Sequence, residues 1–182
     1  MLPSLIMFLF AVIPPPQGDD AAKRPLQVVP SVDIKRYCGI WYEIARLPNS
    51  FQKKCTRDVT ATYTLLDDGD ITVVNRCRKE NGEFMEAAGK ARRKSADEAN
   101  TKLEVRFAPA ILSFLPFVWG DYWIIDLASD YSYAVVGEPA RKYLWILARS
   151  PKMSQETYDG IILRIKEQGY DPSGVMKTEH SD

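Results

Sequence analysis

Three cysteines, Cys38, Cys55 and Cys77, and a single histidine, His180, are the residues of narrowest chemistry in this chain. One histidine, placed in the polar tail, excludes a multi-histidine metal site and a histidine-based triad, since both need an imidazole held against further ligands or a nucleophile. Three cysteines are too few and too widely spaced for a zinc ribbon or finger. No G-x-S-x-G occurs, and no nucleophile stands beside a base. What the chain does hold is aromatic surface: nine Tyr, seven Phe and four Trp, 11% of all residues. Lys+Arg and Asp+Glu balance at 24 each, so there is no net basic field to attract nucleic acid. These counts point to a binding protein and away from a hydrolase, a metalloenzyme or a nucleic-acid binder, and they require no cofactor.

At 182 residues and 20.7 kDa, with 46% hydrophobic and 26% charged residues, the chain is one domain's worth of ordinary globular sequence. Its N-terminal apolar run, Leu5 to Ile13, is too short for a membrane-spanning helix, which needs about 20 residues. The helix-breaking Pro14-Pro15-Pro16 ends it, and residues 1–16 read as a secretory signal. No Lys or Arg precedes the run and no clean small-x-small site follows it, so a misassigned start or an unstructured leader is the other reading. Residues 17–29 read as a linker without a core, and residues 30–182 as the domain.

From Pro30 onward, short alternating apolar segments follow one another between turn residues. They are 37–47, 59–66, 71–77, 84–92, 103–107, 122–127, 131–136 and 143–148. Asp67-Asp68-Gly69-Asp70, Asn81-Gly82 and Gly137-Glu138-Pro139 are hairpin-like connections. The pattern predicts an all-β fold, an eight-stranded up-and-down antiparallel β-barrel, because closure removes both sheet edges. Beyond it the period changes. Ser154 can cap a helix with Glu156 in its first turn, Tyr158, Ile161, Ile162 and Ile165 share one face, and Gly169 supplies the stop. That predicts one C-terminal α-helix packed outside the barrel.

Three motifs then carry a family resemblance over about residues 30 to 175. Gly39-Ile40-Trp41-Tyr42-Glu43-Ile44-Ala45 resembles the G-x-W signature on the first strand of lipocalins. Asp130-Tyr131 resembles their second conserved region, and Leu144-Trp145-Ile146-Leu147-Ala148-Arg149 their third, all in order and at family spacing. Val59-Thr60-Ala61-Thr62-Tyr63 and Gly120-Asp121-Tyr122-Trp123 narrow the match to the bacterial outer-membrane lipocalins, apolipoprotein D-like members and plant temperature-induced lipocalins. The resemblance implies that Gly39, Trp41 and Arg149 are structural, with the guanidinium over the indole face at the closed end. Strand alternation puts Tyr63, Val73, Asn75, Leu103, Val105 and Phe107 on the lumen faces of their strands, and the resemblance implies that Trp123, Ile125, Trp145 and Leu147 line the lumen with them. Trp123 and Trp145 match the two pocket tryptophans of apolipoprotein D-like members, and Tyr63 and Asn75 match polar-tipped pocket positions. For each such side chain ordinary core packing is the alternative.

In a lipocalin, Cys55 and Cys77 fall near the same rim and form a candidate disulfide, which export would permit. The alternative is three reduced thiols, with Cys77 the one lumen-facing nucleophile open to a lipocalin-type enzyme. The apolar stretch 108–119 would lie at the open mouth. Phe114, Leu115, Phe117, Val118 and Trp119 are expected either to touch a membrane there, beside Lys53, Lys54 and Arg57, or to fold in as a lid or an oligomer contact. The resemblance implies a non-catalytic carrier of a small hydrophobic ligand, a fatty acid, lysophospholipid or similar amphiphile. It would serve lipid storage or transport in membrane maintenance under stress. A carrier of pigment, haem or sterol is the further alternative. The expected protein is exported (periplasmic, outer-membrane-associated or secreted), a monomer or dimer, with peripheral membrane contact and no metal.

Overall fold

Alternating β-branched and aromatic residues become eight barrel strands in the computed structural model, which describes residues 21–22, 24–94, 99–107 and 119–181. The strands are β1 (Gly39–Arg46), β2 (Arg57–Leu65), β3 (Ile71–Arg78), β4 (Phe84–Arg93), β5 (Lys102–Arg106), β6 (Gly120–Leu127), β7 (Tyr133–Gly137) and β8 (Leu144–Ala148). Each pairs antiparallel with its neighbour in sequence, and β1 pairs with both β8 and β2, so the sheet closes on itself. The turns are those the sequence demands. Leu66 N–H donates to Asp70 O at 2.8 Å across the β2–β3 turn, where Gly69 takes φ +86°. Glu138 organises the β7–β8 turn, its carboxylate accepting from the backbone N–H of Ala140 at 2.7 Å and from those of Lys142 and Tyr143.

One helix, α1 (Ile34–Tyr37), lies before β1 and was not foreseen in the sequence, since four residues carry no helical period. Asp33 caps it, accepting from Lys35 N–H at 2.9 Å. It brings Tyr37 under the barrel, where Trp41 is fully buried. The second helix, α2 (Gln155–Glu167), begins at Ser154, whose hydroxyl accepts from Thr157 N–H at 3.1 Å. Ile161 and Ile165 of α2 pack against Ile125, Val135, Leu144 and Ile146 on the outside of the sheet. Beyond α2 a short ninth strand, β9 (Met176–Lys177), pairs with the upper end of β1.

Part of the expected linker is docked to the barrel. Leu26 is buried in the α2-side cluster, and Val29 N–H donates to Ile124 O at 3.0 Å. Two or three apolar residues set among prolines were enough to anchor it. The expected signal segment, residues 1–16, lies outside the described residues.

Candidate ligand-binding cavity

The floor is assembled around Trp41. Its indole N–H donates to Tyr37 O at 2.8 Å, and the Arg149 guanidinium lies 3.7 Å from the ring centroid. Arg149 also donates to the carbonyls of Arg36, Tyr37, Cys38 and Ile40 at 2.7–3.0 Å, stitching β8 to the chain that leads into β1. Gly39 has φ +102°, and a Cβ there would meet Arg149 Nη1 at 3.3 Å. Spacing in the first motif is thus geometric. Glycine turns the chain beneath the guanidinium, and the tryptophan two residues on points into the barrel.

Above this floor lies a cavity of about 550 Å³, within the range that holds one small molecule. Tyr63, Val73, Asn75, Val105, Phe107, Trp145 and Leu147 line it, together with Val59, Ala61, Met85, Ala87 and Tyr122. Small side chains make the space. Ala61, Asn75 and Ala87 stand side by side across β2, β3 and β4. Gly89 admits the Phe107 ring, whose Cδ1 a Cβ at that position would meet at 2.7 Å. At the bottom three tyrosines join: Tyr122 Oη is 2.7 Å from Tyr37 Oη and 2.9 Å from Tyr63 Oη. Burial pushes the Tyr63 phenol up to about 12, and pushes Tyr37 and Tyr122 well above the ordinary tyrosine value, so all three are neutral near pH 7.

At the other end the lining reaches Phe51, Gln52, Cys55, Glu138 and Tyr143, all in connections remote from α1. Phe51 packs on Tyr143 at 5.2 Å and on Trp145 at 6.3 Å between ring centroids. Gln52 ties the 47–56 loop to the wall, its Nε2 donating to Glu43 Oε2 at 2.6 Å while its Oε1 accepts from Trp145 Nε1 at 2.9 Å. Glu43 Oε1 accepts from Arg46 at 2.5 Å and from the Thr178 hydroxyl at 2.6 Å, a buried ion pair with its remaining valences filled. Cys55 and Cys77 are bridged, with Cα atoms 5.5 Å apart, which pins the same loop to β3. The bridge occupies the Cys77 sulfur. Cys38, the free cysteine, has its thiol pKa raised by burial.

Three expected lining residues sit elsewhere. Leu103 does face inward, but it is fully buried in the packed core with Trp41 and Tyr37 and does not reach the cavity. Trp123 and Ile125 face outward into the cluster beneath α2, and their neighbours Tyr122 and Ile124 point into the barrel. Both faces of β6 are covered, one by the lumen and one by α2, so Tyr122-Trp123-Ile124-Ile125 carries no apolar–polar alternation to fix which set is inside. Sequence reading also missed Tyr122, Met85 and Ala87, and the Glu43–Gln52 pair. For Glu43 a signal existed: a lone acidic residue two places after Trp41 shares its strand face. Of the expected mouth stretch, Phe114, Leu115, Phe117 and Val118 lie outside the described residues. Trp119 lies 3.9 Å beneath the Arg92 guanidinium.

A closed barrel with a plugged floor and one apolar chamber defines a calyx, a container for a single small molecule. The chain belongs to the lipocalin family: the Lipocalin-like domain matches residues 32–180, and the family binds small hydrophobic ligands. It is similar to temperature-induced lipocalin-1 of Arabidopsis thaliana, 43% identical over 88% of this chain and 86% of the relative. To the outer membrane lipoprotein Blc of Escherichia coli it is 38% identical, over 82% of this chain and 80% of the relative. Among solved structures, insecticyanin from the tobacco hornworm Manduca sexta superposes with a TM-score of 0.67 over 87% of this chain and 86% of that one. At 20% identity that likeness concerns the fold.

Proposed function

We propose that this protein holds a single-chain lipid, a fatty acid, lysophospholipid or similar amphiphile, with its chain in the barrel and its head group at the mouth. The observation that carries the reading is the 550 Å³ chamber with apolar walls and a lining that ends in polar loops. Burying the chain supplies roughly 0.8 kcal/mol per CH₂, which accumulates with length and selects for long chains over short ones. Exposed Lys53 and Lys54, between the lining residues Gln52 and Cys55, offer cations to an anionic head. Tyr63, Val73, Asn75, Val105, Phe107, Trp145 and Leu147 are the residues proposed to touch the ligand.

Similarity to a temperature-induced lipocalin and to an outer-membrane lipoprotein supports an exported protein that stores or moves lipid when membranes are stressed. These relatives are named as a lipocalin and an outer membrane lipoprotein, and the bridged Cys77 leaves the thiol-enzyme reading without its nucleophile. Native mass spectrometry of the purified protein, followed by organic extraction, tests the proposal. A bound mass that matches a single-chain lipid at one per protein supports it. A chromophore or a sterol in that position would replace it with another cargo.

A further inference from the structure

The floor of the chamber is not hydrocarbon. Tyr37, Tyr122 and Tyr63 form a chain of three hydroxyls joined by two hydrogen bonds, 2.7 and 2.9 Å long. Each hydroxyl carries one hydrogen, so three donors serve two bonds and one O–H is always left over. Three proton arrangements satisfy the chain. In one the spare O–H belongs to Tyr63, and in another to Tyr122, and both of these residues line the cavity. In the third it is stranded on Tyr37, below the cavity, with no acceptor among the described residues. A stranded buried donor is unfavourable, so the chain runs toward the cavity and presents its free O–H there. Phenol oxygens also keep lone pairs that can accept. Higher on the wall, the Asn75 amide has no side-chain partner among the described residues. The chamber therefore carries polar groups at its deep end as well as at its mouth.

We infer that the deep end is a hydrogen-bonding subsite for a neutral hydroxyl, and that the preferred ligands are long-chain amphiphiles oxygenated at both ends, of the ω-hydroxy fatty acid type. This inference rests on the proposed lipid-binding reading. A terminal hydroxyl accepts from the spare phenol O–H and donates to a phenol lone pair, matching both capacities of the floor. A plain methyl terminus leaves both unmet. An ionised head group does not belong there, since the three phenols are neutral and the nearby Arg149 guanidinium is committed to the Trp41 ring and backbone carbonyls and is not among the described residues that line the cavity.

The test is competition against N-phenyl-1-naphthylamine fluorescence, with 10-, 12- and 16-carbon fatty acids each paired with its ω-hydroxy counterpart. At the chain length that spans the chamber, the hydroxy acid should bind roughly two- to tenfold more tightly than its parent, the yield of one net hydrogen bond. In Tyr63→Phe/Tyr122→Phe the order should reverse, because the hydroxyl then loses its hydration without a partner. The wild-type ranking decides the matter even where the double variant folds poorly. Parent acids that bind as tightly as the hydroxy acids at every length, or a hydroxy preference that survives the double substitution, would overturn the inference and leave the lipid-binding reading standing. If no acid of either kind displaces the probe, the lipid-binding reading fails and this inference fails with it.

Discussion

Arg149 holds the floor by contacts that hydrophobic packing alone would not supply. It caps four carbonyls and covers the Trp41 ring. Arg149→Met keeps the bulk and removes the donors, so it should lower unfolding free energy by about 2–3 kcal/mol, read from urea denaturation. A loss below half that would mean the guanidinium is ornamental. The buried phenols give a pH signature. Tyr63 ionises near 12 in the fold against about 10 in the unfolded chain, with Tyr37 and Tyr122 displaced the same way. The unfolded state therefore loses protons first. Stability from these groups is complete below pH 10 and declines as pH rises from 10 toward 12. Urea midpoints taken at pH 9, 10, 11 and 11.5 should fall progressively. Residues of the floor were legible in the sequence because glycine, tryptophan and arginine sit at fixed places in a motif. Tyr122 was not, because its role depends on which face of β6 turns inward.

The 47–56 loop is fixed from outside itself by several independent contacts. A disulfide, the Gln52 bridge between Glu43 and Trp145, and the Phe51 stack all hold it against the mouth. Closing a loop across the 22-residue separation of Cys55 and Cys77 stabilises the fold by about 3 kcal/mol in the chain-entropy model. Cys55→Ala/Cys77→Ala should lose about that much, and wild type under reducing conditions should lose the same. Titration of unreduced protein should find one free thiol, Cys38. Three would refute the bridge. All eight barrel strands and α2 were legible, since hairpin turns and the change of period mark them plainly. The strap formed by β9, Thr178 and His180 was not. Its residues carry no period, and they are held by particular partners, the Glu43 side chain and carbonyl. Trp123 shows the same limit. A strand covered on both faces gives its span but not its orientation.

The barrel interior is divided into a packed lower part and an open upper part. Below, Trp41, Tyr37, Leu103 and Ile124 pack solid; above, Ala61 and Ala87 leave room, while Gly89 makes way for the Phe107 ring. That division was half visible in the sequence. The inward face could be read from alternation, but the height at which packing stops depends on how neighbouring small residues align across β2, β3 and β4, and registers are set in three dimensions. Filling the room should abolish function without harming the fold, because added atoms enter empty space and do not crowd a packed core. Calorimetric titration of hexadecanoic acid into wild type and into Ala61→Phe/Ala87→Phe is the most direct test. The expected result is one site per wild-type chain and at least about tenfold weaker binding by the filled variant, with its thermal midpoint unchanged or raised. Equal binding by both proteins would contradict the claim that the ligand lies inside the barrel.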